Sequence, residues 1–183
     1  MGYGVVANGD LRIVGDLTAT GSKAGYVVDV AVNGSHQALR QGDAVTLLGV
    51  RAPVLGSIPV LVVGPANGGD AVIGVVDRWV DLTPDPKASD GSSHVKANGT
   101  SVEPDEYLYV VTLGSFAAAS VDASAGSIKA GSRLSAGANG RLVKAKPIQV
   151  SGRSMYPAGE QVGYALGELA SGTGTVGIFV SPH

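Results

Sequence analysis

Short runs of apolar residues, bounded by glycine, proline or polar residues, recur along most of the chain. Between residues 26 and 80 they are YVVDVAVNG, AVTLLGV, IPVLVV and AVIGVV, and after residue 106 they include YLYVVTLG, FAAASVDA, QVGYALG and TVGIFVS. Such short runs, rich in β-branched residues, predict strands rather than helices. The pairs Asn139-Gly140 and Thr173-Gly174 lie between runs and predict hairpin turns. Several are apolar at consecutive positions, which predicts burial on both faces, as in a small closed barrel or at an interface between subunits.

Two polar segments interrupt this pattern. Residues 1–25 are rich in glycine and carry one loosely alternating stretch, DLRIVGDL, at 10–17. Residues 81–106 consist mainly of Pro, Asp, Ser, Gly and Lys and predict a long loop, which in a compact domain is usually functional or mobile. We therefore divide the chain into an N-terminal arm (1–25), a β-unit (26–80), a polar loop (81–106) and a second β-unit (107–183) packed with the first as one domain.

The two β-units resemble each other at a separation of 89 residues. The stretch VVDVAVNGSHQALRQG, which ends at Gly42, aligns with FAAASVDASAGSIKAG, which ends at Gly131, and the same shift places Gly74 on Gly163. We predict an internal duplication. The first glycine of each unit is expected in a turn that needs positive φ, and the second at a bulge or a close backbone approach within a strand.

Composition narrows the range of functions. The chain has 28 glycines, 9 prolines, 44% hydrophobic residues, no cysteine and a net charge of −2. Without a cluster of Lys and Arg, binding to nucleic acid is disfavoured, and without a long apolar run no membrane span is predicted. The absence of cysteine excludes disulfides, Cys-based metal sites and thiol catalysis. The fold class that fits is all-β, with small β-barrel or β-sandwich units and an extended N-terminal arm.

No catalytic, cofactor or metal site is evident. No serine lies in a G-x-S-x-G sequence, and no glycine-rich stretch matches a phosphate-binding loop. The acidic residues of the polar loop do not have EF-hand spacing, and the three histidines form no i, i+4 pair. We therefore predict that the protein is not an enzyme and has neither cofactor nor metal.

The single tryptophan carries an alternative interpretation. Trp79 ends a strong apolar run beside the polar loop, where an exposed indole would offer a platform for a glycan. The competing expectation is that Trp79 packs at the mouth of a barrel or at a subunit interface. A glycan-binding module of a fibre or cell-surface assembly is thus the second functional hypothesis, with Trp79 as the candidate ligand contact.

The order of these motifs resembles that of small β-barrel proteins of tailed phages, which decorate capsids or form domains of fibres. The resemblance rests on GDAVTLLG, AVIGVVD, the run from YLYVVTLG to IKAGSRL, and QVGYALGELASGTGTVGIFV. It covers most of residues 10–180 except the polar loop, and Ser132 departs from it where the pattern has Asp. The resemblance implies a structural protein on the surface of a virion or other extracellular particle.

The first functional hypothesis is accordingly a self-assembling structural protein, either a capsid decoration (cement) protein or a fibre component. The resemblance implies a homo-oligomer, with a trimer favoured, that binds a capsid or fibre lattice protein, and it implies neither nucleic acid nor membrane as a partner. Strand exchange through the N-terminal arm is the expected mechanism. The arm residues expected at the subunit interface are Leu11, Ile13, Val14 and Leu17.

Overall fold

The fold is all-β, as predicted, and among the described residues it has no helix. The computed structural model describes residues 25–53, 59–81, 96–97, 99–157 and 159–182. The strands are β1 (Tyr26–Asn33), β2 (Leu39–Arg40), β3 (Ala44–Arg51), β4 (Val60–Pro65), β5 (Val72–Asp81), β6 (Lys96–Ala97), β7 (Ser101–Val102), β8 (Tyr107–Asp122), β9 (Arg133–Ala136), β10 (Leu142–Lys144), β11 (Ile148–Val150), β12 (Arg153–Met155), β13 (Gln161–Ala165) and β14 (Thr173–Val180).

Two closed barrels share the long strand β8. The first ring runs from β8 through β1, β4, β3 and β5 back to β8, and the second runs from β8 through β14, β13, β9 and β10 back to β8. The N-terminal half of β8 pairs with β1 and β5, whereas its C-terminal half pairs with β14 and, at one residue, with β10. Residues 107–114, which the sequence analysis assigned to the second β-unit, therefore pair within the first barrel.

The strand pairings confirm the internal duplication. In the first barrel Val45 pairs with Gly74, and in the second Leu134 pairs with Gly163, each position 89 residues further along. Each pair is followed by a register shift at the equivalent residue. Val32 on β1 pairs with the start of β8 at Tyr107, and Val121, 89 residues further along, pairs with the start of β14 at Gly174. We refer to the barrels below as the first and second repeats.

The turn that precedes the second strand of each repeat is also the same. Gly42 and Gly131 both have positive φ (92° and 82°), as the sequence predicted. The Gly42 N–H donates to the Val76 carbonyl at 2.8 Å, and the Gly131 N–H donates to the Ala165 carbonyl at 2.8 Å. A positive φ costs little only for glycine, so both repeats need this residue here.

The mid-strand glycines lie at close backbone approaches, again as predicted. A Cβ on Gly74 would overlap the carbonyl oxygen of Val111, and a Cβ on Gly163 would overlap that of Phe179. Because the obstacle is backbone in both repeats, it cannot swing aside as a flexible side chain would.

Two predictions about local structure need correction. The runs at 107–114 and 116–123 were expected as two strands but form the single 16-residue strand β8, because Gly114 carries the chain through the junction with a φ of 109°. Thr173-Gly174 was expected as a hairpin turn but begins β14, since the bend lies one residue earlier at Gly172. By contrast, Asn139-Gly140 connects β9 to β10 with positive φ at both residues, as a hairpin turn requires.

Each barrel has its own apolar interior, and the two interiors use equivalent positions. Leu39 and Val45 are buried in the first repeat, and Ile128 and Leu134 occupy the same places in the second. The second cluster also extends across the junction, where Ala44, Val72 and Val75 of the first repeat pack in the same cluster as Phe116. The junction is therefore part of the core, which makes the two repeats one structural unit.

Candidate interaction surfaces

The residues proposed from sequence for the subunit interface lie outside the described residues. These are Leu11, Ile13, Val14 and Leu17, and their role stays a prediction. Most of the polar loop also lies outside, except for residues 96–97, which pair with β5, and the stretch from 99 to 106, which includes β7.

Trp79 lies at the end of the first barrel. Its indole is half-buried and packs against the interior cluster that contains Leu108, its cross-strand neighbour. The backbone N–H of Trp79 donates to the carbonyl of Gly99 at 3.3 Å, so the last part of the polar loop holds the backbone of β5 here. Packing accounts for part of the indole surface, and the glycan-contact hypothesis stays a prediction.

The described residues contain no group of three or more side chains that could hold a metal ion. Among the histidines, His36 is exposed on the turn after β1, whereas His94 and His183 lie outside the described part of the chain. No helix in the described ranges could cross a membrane.

A buried ionic group lies near the point where the chain enters the first barrel. The Asp77 carboxylate, with 3% of its side chain exposed, accepts hydrogen bonds from the Arg78 Nε at 2.9 Å and from the Tyr26 hydroxyl at 3.1 Å. A register shift between Val76 and Arg78 places these neighbouring side chains together. The carboxylate is fully partnered, so we interpret this group as structural rather than reactive.

Two further carboxylates lie at the polar cleft, about 420 Å³ in volume, between the repeats. Burial raises the pKa of Asp43, although the backbone N–H of Arg40 and the Ser120 hydroxyl oppose the increase. The pKa of Asp122 is lowered, chiefly by the hydrogen bond from the Ser124 hydroxyl. Such a cleft can hold water or small ions, but the two carboxylates are partnered within the protein.

The first exposed apolar surface crosses both repeats, and we call it the apolar row. Val27 on β1 and Leu113 on β8 are direct cross-strand neighbours, with 54% and 50% of their surfaces exposed. On β14, Phe179 pairs with Ser115 and is 40% exposed. Leu166 is 53% exposed and donates its N–H to Gly177, two residues from Phe179 on the same strand.

The second exposed apolar surface is a hairpin that, within the described ranges, occurs in the second repeat alone. Strands β11 and β12 form a separate two-stranded ribbon in which Ile148 pairs with Met155. Ile148, Val150 and Met155 are all exposed on one face, while the Gln149 amide donates to the Ser154 hydroxyl at 2.6 Å on the other. The ribbon is therefore amphipathic. It pairs with no other described strand, and its apolar face stays exposed.

A cleft of about 650 Å³ lies between this hairpin and the second barrel. Its walls are formed by the end of β8 and the following turn, by β10 and the residues after it, and by the approach to β13. Lys144, Lys146, Asp122 and Glu160 bring charges of both signs to its walls, and Val143 and Ile148 contribute apolar surface.

This cleft exists because the second barrel closes less completely than the first. In the first repeat β1 and β4 pair over three residues, and the Gly34 N–H then donates to the Val63 carbonyl at 2.8 Å. In the second repeat β8 and β10 share a single paired position, and the Ala123 N–H donates to Gly172 instead. A Cβ on Gly34 would overlap the side chain of Val62. The equivalent position in the second repeat is Ala123.

None of these three surfaces, the apolar row, the hairpin and the cleft beside it, was predicted from the sequence. The hairpin could have been found from the stretch IQVSGRSM, where Ser151-Gly152 is a turn signal between two short alternating runs. The apolar row has no such signal, because its members come from four separate segments. The cleft depends on how far β8 and β10 pair, which their separate segments do not indicate.

No family model matches the chain, and a search of curated proteins finds no match.

Proposed function

We propose that this protein is a self-assembling structural protein of the capsid-decoration (cement) or fibre type. It would form a homo-oligomer, with a trimer favoured, on the surface of a virion or a comparable extracellular particle, and bind a lattice protein there. The β-barrel architecture and the motif resemblance both support this proposal, and strand exchange through residues 1–25 belongs to it.

The observation that carries the proposal is the apolar row. Val27, Leu113 and Phe179 lie on strands that pair across the junction of the two barrels, and Leu166 directly follows β13; all four are large side chains that are 40% exposed or more. Extended apolar surface on a soluble protein is typical of a site for association with other proteins. A rigid sheet also loses little conformational entropy when it binds, so the contact is inexpensive to form.

Light scattering on the purified full chain tests the proposal. We expect the mass of a trimer for the native protein at micromolar concentration. Val27→Lys combined with Leu113→Lys is expected to give monomers, because it would place two charges in the apolar contact. These positions are exposed, so the variants should keep the native strand content in circular dichroism.

Gln37→Lys combined with Ala38→Lys is the matched control, because it adds the same two charges at an exposed turn outside the row. It should leave the oligomer intact. A native protein that is monomeric at all concentrations, or a Val27→Lys, Leu113→Lys variant that assembles normally, would contradict the proposal.

A further inference from the structure

We propose that the cleft beside β10 receives residues 10–17 of a second copy of this chain. This inference rests on the proposed function and specifies where the exchanged segment binds. The cleft lies in the second barrel, where β8 and β10 pair at one residue only. The equivalent strands of the first barrel, β1 and β4, pair over three residues. The incoming segment would supply the pairing that the second barrel lacks.

The free edge of β10 provides the backbone contacts. Leu142, Val143 and Lys144 pair with β9 on one side, but on the other side only Leu142 has a strand partner among the described residues. The N–H and C=O groups of an unpaired strand edge form a template for another extended segment. Strand addition at this edge would fill the cleft and continue the sheet.

The side chains of the cleft complement those of the segment DLRIVGDL. The cleft offers apolar surface from Val143 and Ile148, and the segment offers Leu11 and Ile13 at alternate positions, which face one side of an extended strand. The charges match as well. Lys144 and Lys146 can pair with Asp10 and Asp16, while Glu160 can pair with Arg12.

The length of the intervening chain favours a second copy over the same one. The chain enters the fold at Tyr26, which pairs with Gly114, whereas the cleft begins at Asp122 at the far end of β8. These positions on β8 are separated by about 27 Å. The nine Cα steps from Leu17 to Tyr26 span at most about 32 Å when fully extended, which leaves only about 5 Å for the chain to pass around intervening side chains. A neighbouring copy can place its segment without that constraint.

The absence of cysteine allows a direct test in the full chain, because introduced thiols have no competitors. Ile13→Cys and Ala125→Cys are made in separate chains, mixed and oxidised. If residues 10–17 of one copy occupy the cleft of another, the mixture yields a disulfide-linked heterodimer. Ile13→Cys mixed with Gln37→Cys is the control, since position 37 is exposed outside this cleft, and it should give at least five-fold less heterodimer.

Charge reversal adds an independent measurement. Lys144→Glu with Lys146→Glu should reduce the yield of heterodimer several-fold, and Asp10→Lys with Asp16→Lys in the partner chain should restore it. Both lysines are exposed, so the reversal is not expected to unfold the barrel. A yield that does not respond to either change would overturn the assignment of these charges to the segment.

The outcomes separate this inference from the proposed function. An oligomer by light scattering without preferential cross-linking at Ala125 overturns the docking site and leaves self-assembly standing. A monomer overturns both. Cross-linking found only within a doubly substituted single chain shows that the segment returns to its own cleft, and it overturns the exchange between copies.

Discussion

The two repeats have the same fold but differ in the residues of one face. In the first repeat this face contacts the second repeat, and in the second repeat the equivalent face contacts no further barrel among the described residues. In the first repeat this face carries Ala44, Val72 and Val75, all buried in the cluster that crosses the junction. The equivalent positions in the second repeat, 89 residues later, are Arg133, Gln161 and Tyr164. One face is therefore built to bury apolar surface, and its counterpart is built to end the stack.

The polar face of the second repeat is closed by its own side chains. The Arg133 guanidinium lies 4.7 Å from the centre of the Tyr156 ring and 5.3 Å from that of Tyr164, and it donates to the Gln161 side chain at 2.8 Å. Tyr156 belongs to the segment between β10 and β13, which is longer than its counterpart in the first repeat. Terminal repeats of stacked proteins commonly have such polar caps, which prevent continued stacking.

This difference teaches where copies can meet. A third barrel cannot add to the second in the way that the second adds to the first, because it would bury an arginine already engaged with two rings. Association must use other surfaces, and the apolar row begins beside this face, where Phe179 pairs with Tyr164, and continues along β14, β8 and β1. The duplication thus gives a closed two-barrel unit whose sides remain available.

The largest effect in the comparison is expected at the mid-strand glycines. Gly163→Ala should lower the free energy of unfolding by about 3 kcal/mol or more, because its Cβ would overlap the Phe179 carbonyl and its φ of 149° disfavours other residues. Gly74→Ala should cost somewhat less, since its φ is not positive. Urea denaturation measures both.

Gly49→Ala is the control for these variants. Gly49 also lies within a strand, but nothing would lie within 4 Å of its Cβ. A change within about 0.5 kcal/mol is expected there. If Gly163→Ala were equally harmless, the close approach would not be rigid.

The turn glycines separate backbone strain from packing. Gly42 and Gly131 share positive φ, but a Cβ on Gly42 would overlap the Ala118 carbonyl across the junction, whereas on Gly131 it meets nothing within 4 Å. Gly131→Ala should therefore cost about 1 kcal/mol and Gly42→Ala about 3 kcal/mol by the same denaturation measurement. Equal losses of unfolding free energy in the two variants would mean that the backbone around Ala118 shifts to accommodate the new Cβ at position 42.

The smallest effect concerns a carboxylate that only the first repeat has. Asp43 accepts a hydrogen bond from the Arg40 N–H at 2.8 Å, and at the equivalent position the Ser132 hydroxyl accepts one from the Lys129 N–H at 3.0 Å. Burial raises the pKa of Asp43, so the folded state binds its proton more tightly than the unfolded state does. Its contribution to stability is therefore greatest below the unfolded-state pKa and is lost as pH rises through the folded-state value.

Asp43→Ser converts this turn to the form found in the second repeat and tests that dependence. Relative to the variant, the native protein should lose stability as the pH of the denaturation experiment rises from about 3.5 to 7. Asp122→Ser should show the opposite trend, because the pKa of Asp122 is lowered and its contribution is lost as pH falls. Parallel pH profiles for native protein and Asp43→Ser would show that Asp43 is as well solvated as an unfolded carboxylate.

The sequence by itself determined the all-β class, most strand positions, the duplication and the roles of its glycines. These are local properties: apolar periodicity selects strands, and a positive φ or a missing Cβ selects glycine wherever it occurs. The tertiary structure alone decided that β8 serves both barrels, that Arg133 closes an end where Ala44 forms a core, and that a cleft remains beside β10 where β1 and β4 pair over three residues. Those features depend on which distant segments meet, and side chains such as Val27 and Phe179 become one surface only after β8 brings their strands together.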